Sequence, residues 1–133
     1  MGGDSERIGI HTSDDVVRVR QAARRAALDA GLSLVDQTKL VTAASELARN
    51  TLLYGGGGDA AIEQVTADGR IGIRMVFTDQ GPGIADVTRA LQDGYTTGHG
   101  LGLGLGGSRR LVNEFDIQTE VGKGTRVTIV KWS

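Results

Sequence analysis

Ser45-Glu46-Leu47-Ala48-Arg49-Asn50 lies inside a stretch, residues 34–53, in which Leu40, Ala43, Ala44, Leu47 and Thr51 fall on one broad helical face. Four positions make about one turn of helix, so Glu46 and Asn50 project from the same side. An acid stacked beside an amide suits a magnesium–nucleotide site. The amide oxygen is a hard ligand for the metal, and the carboxylate can take the proton of an attacking hydroxyl. Solvated helix surfaces carry such pairs too, so the hexapeptide alone does not choose between the two readings. The flanking sequence has to decide.

Upstream, Ser33 and Asp36 form an approximate capping box that opens this helix. An earlier helix is predicted over residues 16–30, capped by Ser13 or Asp14 and stopped by Gly31. Its apolar stripe is Val16, Val19, Ala23, Ala26 or Ala27, and Ala30. Residues 7–12 read as an opening strand. Downstream, Gly55 to Gly58 end the second helix, and residues 60–66 and 71–78 have strand patterns joined by the hairpin signal Asp68-Gly69. A short helix over 86–92, a glycine-rich loop over 93–104 and a helix over 105–114 follow. Strands over 116–121 and 126–132, with the turn Gly122-Lys123-Gly124, close the chain. Strand pairs joined by tight turns cannot be parallel neighbours. The expected fold is therefore an α/β two-layer sandwich, a mixed sheet covered on one face by helices, in one domain over residues 1–133.

Asp79-Gln80-Gly81-Pro82-Gly83 breaks the second strand of the hairpin. A carboxylate at a strand end can accept a hydrogen bond from a purine amino group, and glycines let backbone approach the ring. The same residues also make ordinary turns. The densest feature is Gly98-His99-Gly100-Leu101-Gly102-Leu103-Gly104-Leu105-Gly106-Gly107. Its backbone N–H groups can turn toward phosphate oxygens, and a following helix adds its positive end. Leucine at alternate positions argues against a solvated linker. A dinucleotide fingerprint belongs after the first strand of a βαβ unit, which this run does not follow. No Gly-Lys-Ser/Thr ends it as a Walker loop would, and no His-Arg-Asp catalytic loop occurs. Gly122-Lys123-Gly124-Thr125 is a hairpin turn that could also bring the Thr125 hydroxyl to a base pocket.

Composition narrows the classes. The chain has 133 residues, 39% of them apolar, which is enough for one core and argues against disorder. Fifteen basic and 16 acidic side chains leave a net charge of −1, with no general attraction to nucleic acid or to an anionic membrane. Absence of cysteine removes disulfides and thiolate zinc sites and suits a cytoplasmic location. His11 and His99, the only histidines, make a poor metal pair. The opening MGGDSERIGI has no apolar signal core, and Glu6 stands where myristoylation wants Ser or Thr.

Taken together, Glu46-x-x-x-Asn50, Asp79-x-Gly81-x-Gly83, Gly98-x-Gly100-x-Gly102 and Gly122-x-Gly124-Thr125 occur in one order. This series resembles the Bergerat ATP-binding fold of the gyrase, Hsp90, histidine-kinase and MutL (GHKL) superfamily. Within it the chain is similar to the RsbT-type serine/threonine kinases of bacterial general-stress signalling, from about Arg7 to Trp132. Val35-Asp36-Gln37, the Ser45–Asn50 segment, Ile62-Glu63-Gln64-Val65, Asp79 to Ile84, Asp93 to Thr97 and Lys131-Trp132 carry that likeness. Ser45 before the glutamate, and the lack of N-terminal dimerisation helices with a phosphoacceptor histidine, separate it from sensor histidine kinases.

The resemblance implies ATP and Mg²⁺ as cofactors. Asn50 would ligate the metal and Glu46 would be the catalytic base. Asp79 would accept from the adenine amino group, Gly81 and Gly83 would shape the base pocket, and Thr125 would stand beside it. Gly98, Gly100, Gly102 and Gly104 would form the phosphate lid. It further implies partner switching: phosphorylation of a STAS-domain antagonist in a stressosome, then binding and activation of a PP2C-type phosphatase. Arg18, Arg20, Arg24 and Arg25 on the first helix form a candidate docking face, or a plain solvated one. Two other readings are an anti-sigma factor kinase that sequesters a sigma factor, and a nucleotide-dependent binding module without kinase activity. The oligomeric state is left open.

Overall fold

Asp68 and Gly69 both adopt positive φ, 52° and 76°, the geometry of a two-residue hairpin turn whose twist matches the strands it joins. In the computed structural model, which describes residues 5–85, 87, 91 and 104–133, this turn links β2 (Gly58–Ala67) to β3 (Arg70–Asp79). Pairing is continuous from Gly58↔Asp79 to Ala67↔Arg70. The other described elements are β1 (Ser5–Ile10), α1 (Ser13–Asp29), α2 (Leu34–Leu53), α3 (Gly104–Arg110), β4 (Glu114–Glu120) and β5 (Gly124–Trp132). Sheet order is β1-β2-β3-β5-β4.

Among the described residues all four strand pairings are antiparallel, so the expected mixed sheet is corrected. Two helices separate β1 from β2. The chain therefore reverses at three junctions, and an odd number of reversals brings β2 back antiparallel to β1. β3 and β4 do run the same way, but β5 lies between them. The two-layer α/β arrangement stands. Ile73, Met75 and Phe77 of β3 and Val127 and Ile129 of β5 are buried, with exposed or half-buried residues between them. That alternation marks a single face turned to the helices.

α1 begins earlier than its apolar stripe suggests. Its cap is Thr12, whose hydroxyl accepts from Asp15 N, while Asp15 Oδ2 accepts from Thr12 N at 3.1 Å. This is a reciprocal capping box. The backbone N–H of His11, 2.9 Å away, is the main influence holding the Asp15 carboxyl below its usual range. α2 spans the predicted residues, with Ser33 Oγ accepting from Asp36 N. Ala22, Ala23, Ala27, Ala43, Ala44 and Ala48 are buried on the two helices, and their small side chains let the helices approach each other and the sheet. Leu40, Leu47, Ile73, Met75 and Ile129 fill the layer between, each contributing about 1.5–3 kcal/mol by burial. Lys131 is buried on β5 and reaches Asp36 in the first turn of α2 at 3.4 Å, tying the helix start to the sheet.

α3 ends at Arg110, short of the predicted residue 114. The strand ladder takes over there: Asn113 N donates to Val130 O, and Glu114 pairs with Val130. The predicted helix over 86–92 and the loop over 93–104 fall almost wholly outside the described residues.

Candidate active site

One end of the sheet gathers several chain segments. β3 finishes there at Asp79, β2 starts at Gly58, β5 starts at Gly124, β4 finishes at Glu120, and α2 arrives through Tyr54 and Gly55. Asp79 and Thr125 are register partners across β3 and β5. The Asp79 carboxyl is half-buried, and its Oδ1 accepts from Gly81 N at 2.8 Å. Among the described residues no donor reaches Oδ2, which leaves that oxygen an open acceptor.

The glycines here have no room for a side chain. A Cβ built on Gly55 would lie 2.5 Å from Asp79 Oδ2, and one on Gly81 would lie 2.7 Å from Gly55 Cα. A Cβ on Gly124 would strike the Asp79 carbonyl. Gly83 has φ +76° and abuts the Glu120 carbonyl. Both close approach and left-handed backbone therefore require glycine at Gly83 and Gly124. The cradle is braced by hydroxyls. Thr119 Oγ1 lies 2.9 Å from Thr125 Oγ1, accepts from Ile84 N at 2.9 Å and is 3.1 Å from Gly124 O.

Glu46 and Asn50 stand on the last turns of α2, both half-buried, and among the described residues neither side chain has a hydrogen-bond or ion-pair partner. The Asn50 carbonyl accepts from Tyr54 N at 2.9 Å and Gly55 N at 3.1 Å, so the same turn joins Asn50 to the Asp79 cradle. Among the described residues no three His, Cys, Asp or Glu side chains cluster as a metal cage. Magnesium takes few protein ligands and fills its shell with substrate phosphate oxygens and water, and the Asn50 amide oxygen is a hard donor of the kind it accepts. Gly104 opens α3 at φ +69°, and its carbonyl accepts from Ser108 Oγ. Gly98, Gly100 and Gly102 lie outside the described residues.

Gly55 and Thr119 are parts of this site that the sequence did not single out. Gly55 was hidden as one of four consecutive glycines, and Thr119 comes to Thr125 only through the β4–β5 register. A cavity of about 300 Å³ at this end is lined by Asp79, Thr119, Gly124 and Thr125 of the cradle together with Thr78, Gln118, Lys123 and Arg126. Of the four α1 arginines, Arg18 pairs with Asp15 and Arg25 with Glu6 at 3.9 Å, while Arg20 and Arg24 line a groove with Val17 and Val41.

Residues 35–132 match the family model for histidine kinase-, DNA gyrase B- and HSP90-like ATPases. The chain belongs to this ATPase family. Family membership brings use of ATP, and the acid–amide helix, the strand-end aspartate and the glycines all lie within the matched segment. Among family relatives, the serine/threonine-protein kinase RsbT of Bacillus subtilis is 43% identical over 97% of both chains. An anti-sigma F factor of a Geobacillus species is 31% identical over 90% of this chain and 84% of its own. The fold recurs in a Mycobacterium tuberculosis protein with RsbU and RsbW domains, at TM-score 0.62 and 21% identity, over 96% of this chain and 32% of that one. The mycobacterial sensor histidine kinase MprB shares it at TM-score 0.57 and 18% identity, over 96% of both chains.

Proposed function

We propose that this protein is a serine/threonine kinase that uses Mg-ATP to phosphorylate a STAS-domain antagonist of a stressosome. On release it binds and activates a PP2C-type phosphatase in bacterial partner switching. The observation that carries the reading is the joining of Asp79, with one open carboxylate oxygen in a Cβ-free cradle, to the helix turn bearing Glu46 and Asn50. Likeness to RsbT along nearly the whole chain supports the choice of a protein hydroxyl as acceptor.

Asp79 Oδ2 would accept from the adenine amino group while Gly81 holds Oδ1 in place. Gly81 and Gly83 would line the base, with Thr125 presenting its hydroxyl beside it. Gly98 to Gly104 would close over the phosphates. Magnesium, held by Asn50, would neutralise charge on the phosphate oxygens. The substrate hydroxyl oxygen bonds to the γ-phosphorus, Glu46 receives the hydroxyl proton, and the bond to the β–γ bridging oxygen breaks to release ADP. Such transfer depends chiefly on positioning and charge neutralisation. Among the described residues no helix is long and apolar enough to cross a membrane. A cytoplasmic location is part of the proposal and follows from the ATP-dependent signalling role it assigns.

The likeness to anti-sigma F factors favours a second reading, a kinase that sequesters a sigma factor. One experiment separates them from each other and from a binder without kinase activity. The protein is incubated with γ-³²P-ATP, magnesium and candidate STAS, sigma and phosphatase proteins, and label transfer and co-elution are scored. Label on a serine or threonine of the STAS protein without sigma retention is the expected result. Sigma co-elution would overturn it, and phosphatase binding without any label would leave only a binding module.

A further inference from the structure

We propose that Gly55 is a specificity-determining positioning residue: its missing side chain fixes the Asp79 carboxylate where it can select adenine. The proposal rests on the reading of Asp79 as the base acceptor. A Cβ on Gly55 would meet Asp79 Oδ2 at 2.5 Å and Asp79 Cβ at 2.6 Å. Real Cβ atoms do not approach so closely, so one partner has to move. Gly55 is the one that cannot. Its N–H is bonded to Asn50 O at 3.1 Å, and Gly57 N is bonded to Thr51 O at 2.9 Å. Gly58 is locked opposite Asp79 in the β2–β3 ladder. On the other side Gly81 packs so near the Gly55 backbone that a Cβ built on it would lie 2.7 Å from Gly55 Cα, which limits retreat in that direction. Asp79 must therefore give way, its Cβ by a shift of the strand end and its carboxylate by rotation, which breaks the 2.8 Å bond from Gly81 N and carries Oδ2 off the line to a purine amino group. Gly56 offers the contrast: it has φ +74° and no atom within 4 Å of a built Cβ. The two glycines are adjacent, yet only Gly55 bears on the acid.

The test is equilibrium binding of ATP and ITP, which has a 6-oxo group in place of the amino group, by isothermal titration calorimetry in magnesium. The wild-type protein should prefer ATP by about tenfold or more, the discrimination that one buried acceptor gives. Gly55→Ala should shrink that ratio at least about fivefold, chiefly through weaker ATP binding. Gly56→Asn, a residue that tolerates left-handed backbone, should keep it. Asp79→Asn should remove the preference, and Gly55→Ala added to Asp79→Asn should change the ratio no further. Equal loss of ATP and ITP affinity in Gly55→Ala, or an unchanged ratio, overturns the role of Gly55. A wild-type protein without preference, or an Asp79→Asn variant that retains it, overturns the reading of Asp79 itself and the proposal with it. If Gly55→Ala does not fold, Asp79→Gly in the same chain removes the β and γ atoms that meet the new methyl and should restore the circular dichroism melt. Failure to restore it counts against the proposal.

Discussion

The two ends of the β2–β3 hairpin use glycine for opposite purposes. At the Arg70 end, Gly69 sits at positive φ with nothing within 4 Å of a built Cβ, so it serves handedness alone. At the Asp79 end, Gly55, Gly58, Gly81 and Gly124 are hemmed in by backbone or by the Asp79 carboxyl. One end needs a turn and the other needs the absence of atoms. Close backbone approach around an open acceptor is what a flat aromatic ligand requires, and a plain hairpin has no use for it.

The comparison predicts that the Asp79 end fails first in function. Asn50→Ala should abolish phosphoryl transfer, scored as label on the acceptor protein. Glu46→Ala should leave nucleotide binding intact and lower turnover by about a hundredfold or more, measured as kcat against binding by titration. Near wild-type turnover in Glu46→Ala would refute its role as base. Gly124→Ala combines left-handed backbone with a clash on the Asp79 carbonyl and should destabilise by at least about 2 kcal/mol in urea unfolding. Thr12→Ala removes the α1 cap near the same end but away from the cradle. It should cost about 1 kcal/mol of stability and leave ATP affinity unchanged, separating local stability from ligand contact. Gly69→Asn, at the opposite end, should shift stability by less than about 0.5 kcal/mol and leave both binding and turnover alone. A large effect there would break the contrast.

Elements whose signals are local were legible in the sequence. Asp68-Gly69 marked its hairpin, Ser33 its helix start, and Glu46 and Asn50 the polar face near the end of α2. What was not legible depends on register and direction. No pattern in residues 114–132 says that β5 inserts between β3 and β4, so the sheet read as mixed. The start of α1 was misread because Ser13 and Asp14 have cap chemistry too, while the reciprocal bonds go to Thr12 and Asp15. α3 was read too long because Asn113 and Glu114 continue its sequence pattern, and only the pairing with Val130 draws them away. Gly55 is chemically identical to the three glycines after it, and its contact with Asp79 exists only once α2 has docked.

The interior place of β5 has a consequence for how this protein is made. β3 and β4 leave the ribosome before the strand that will join them, and the 44 residues between Asp79 and Gly124 take roughly 2–9 s to synthesise. For that interval β3 has an unpaired edge and the sheet lacks the interior strand that joins β3 to β4. The structure can close only after synthesis has passed Trp132, so nascent chains stalled short of β5 should bind no nucleotide and should be open to proteases.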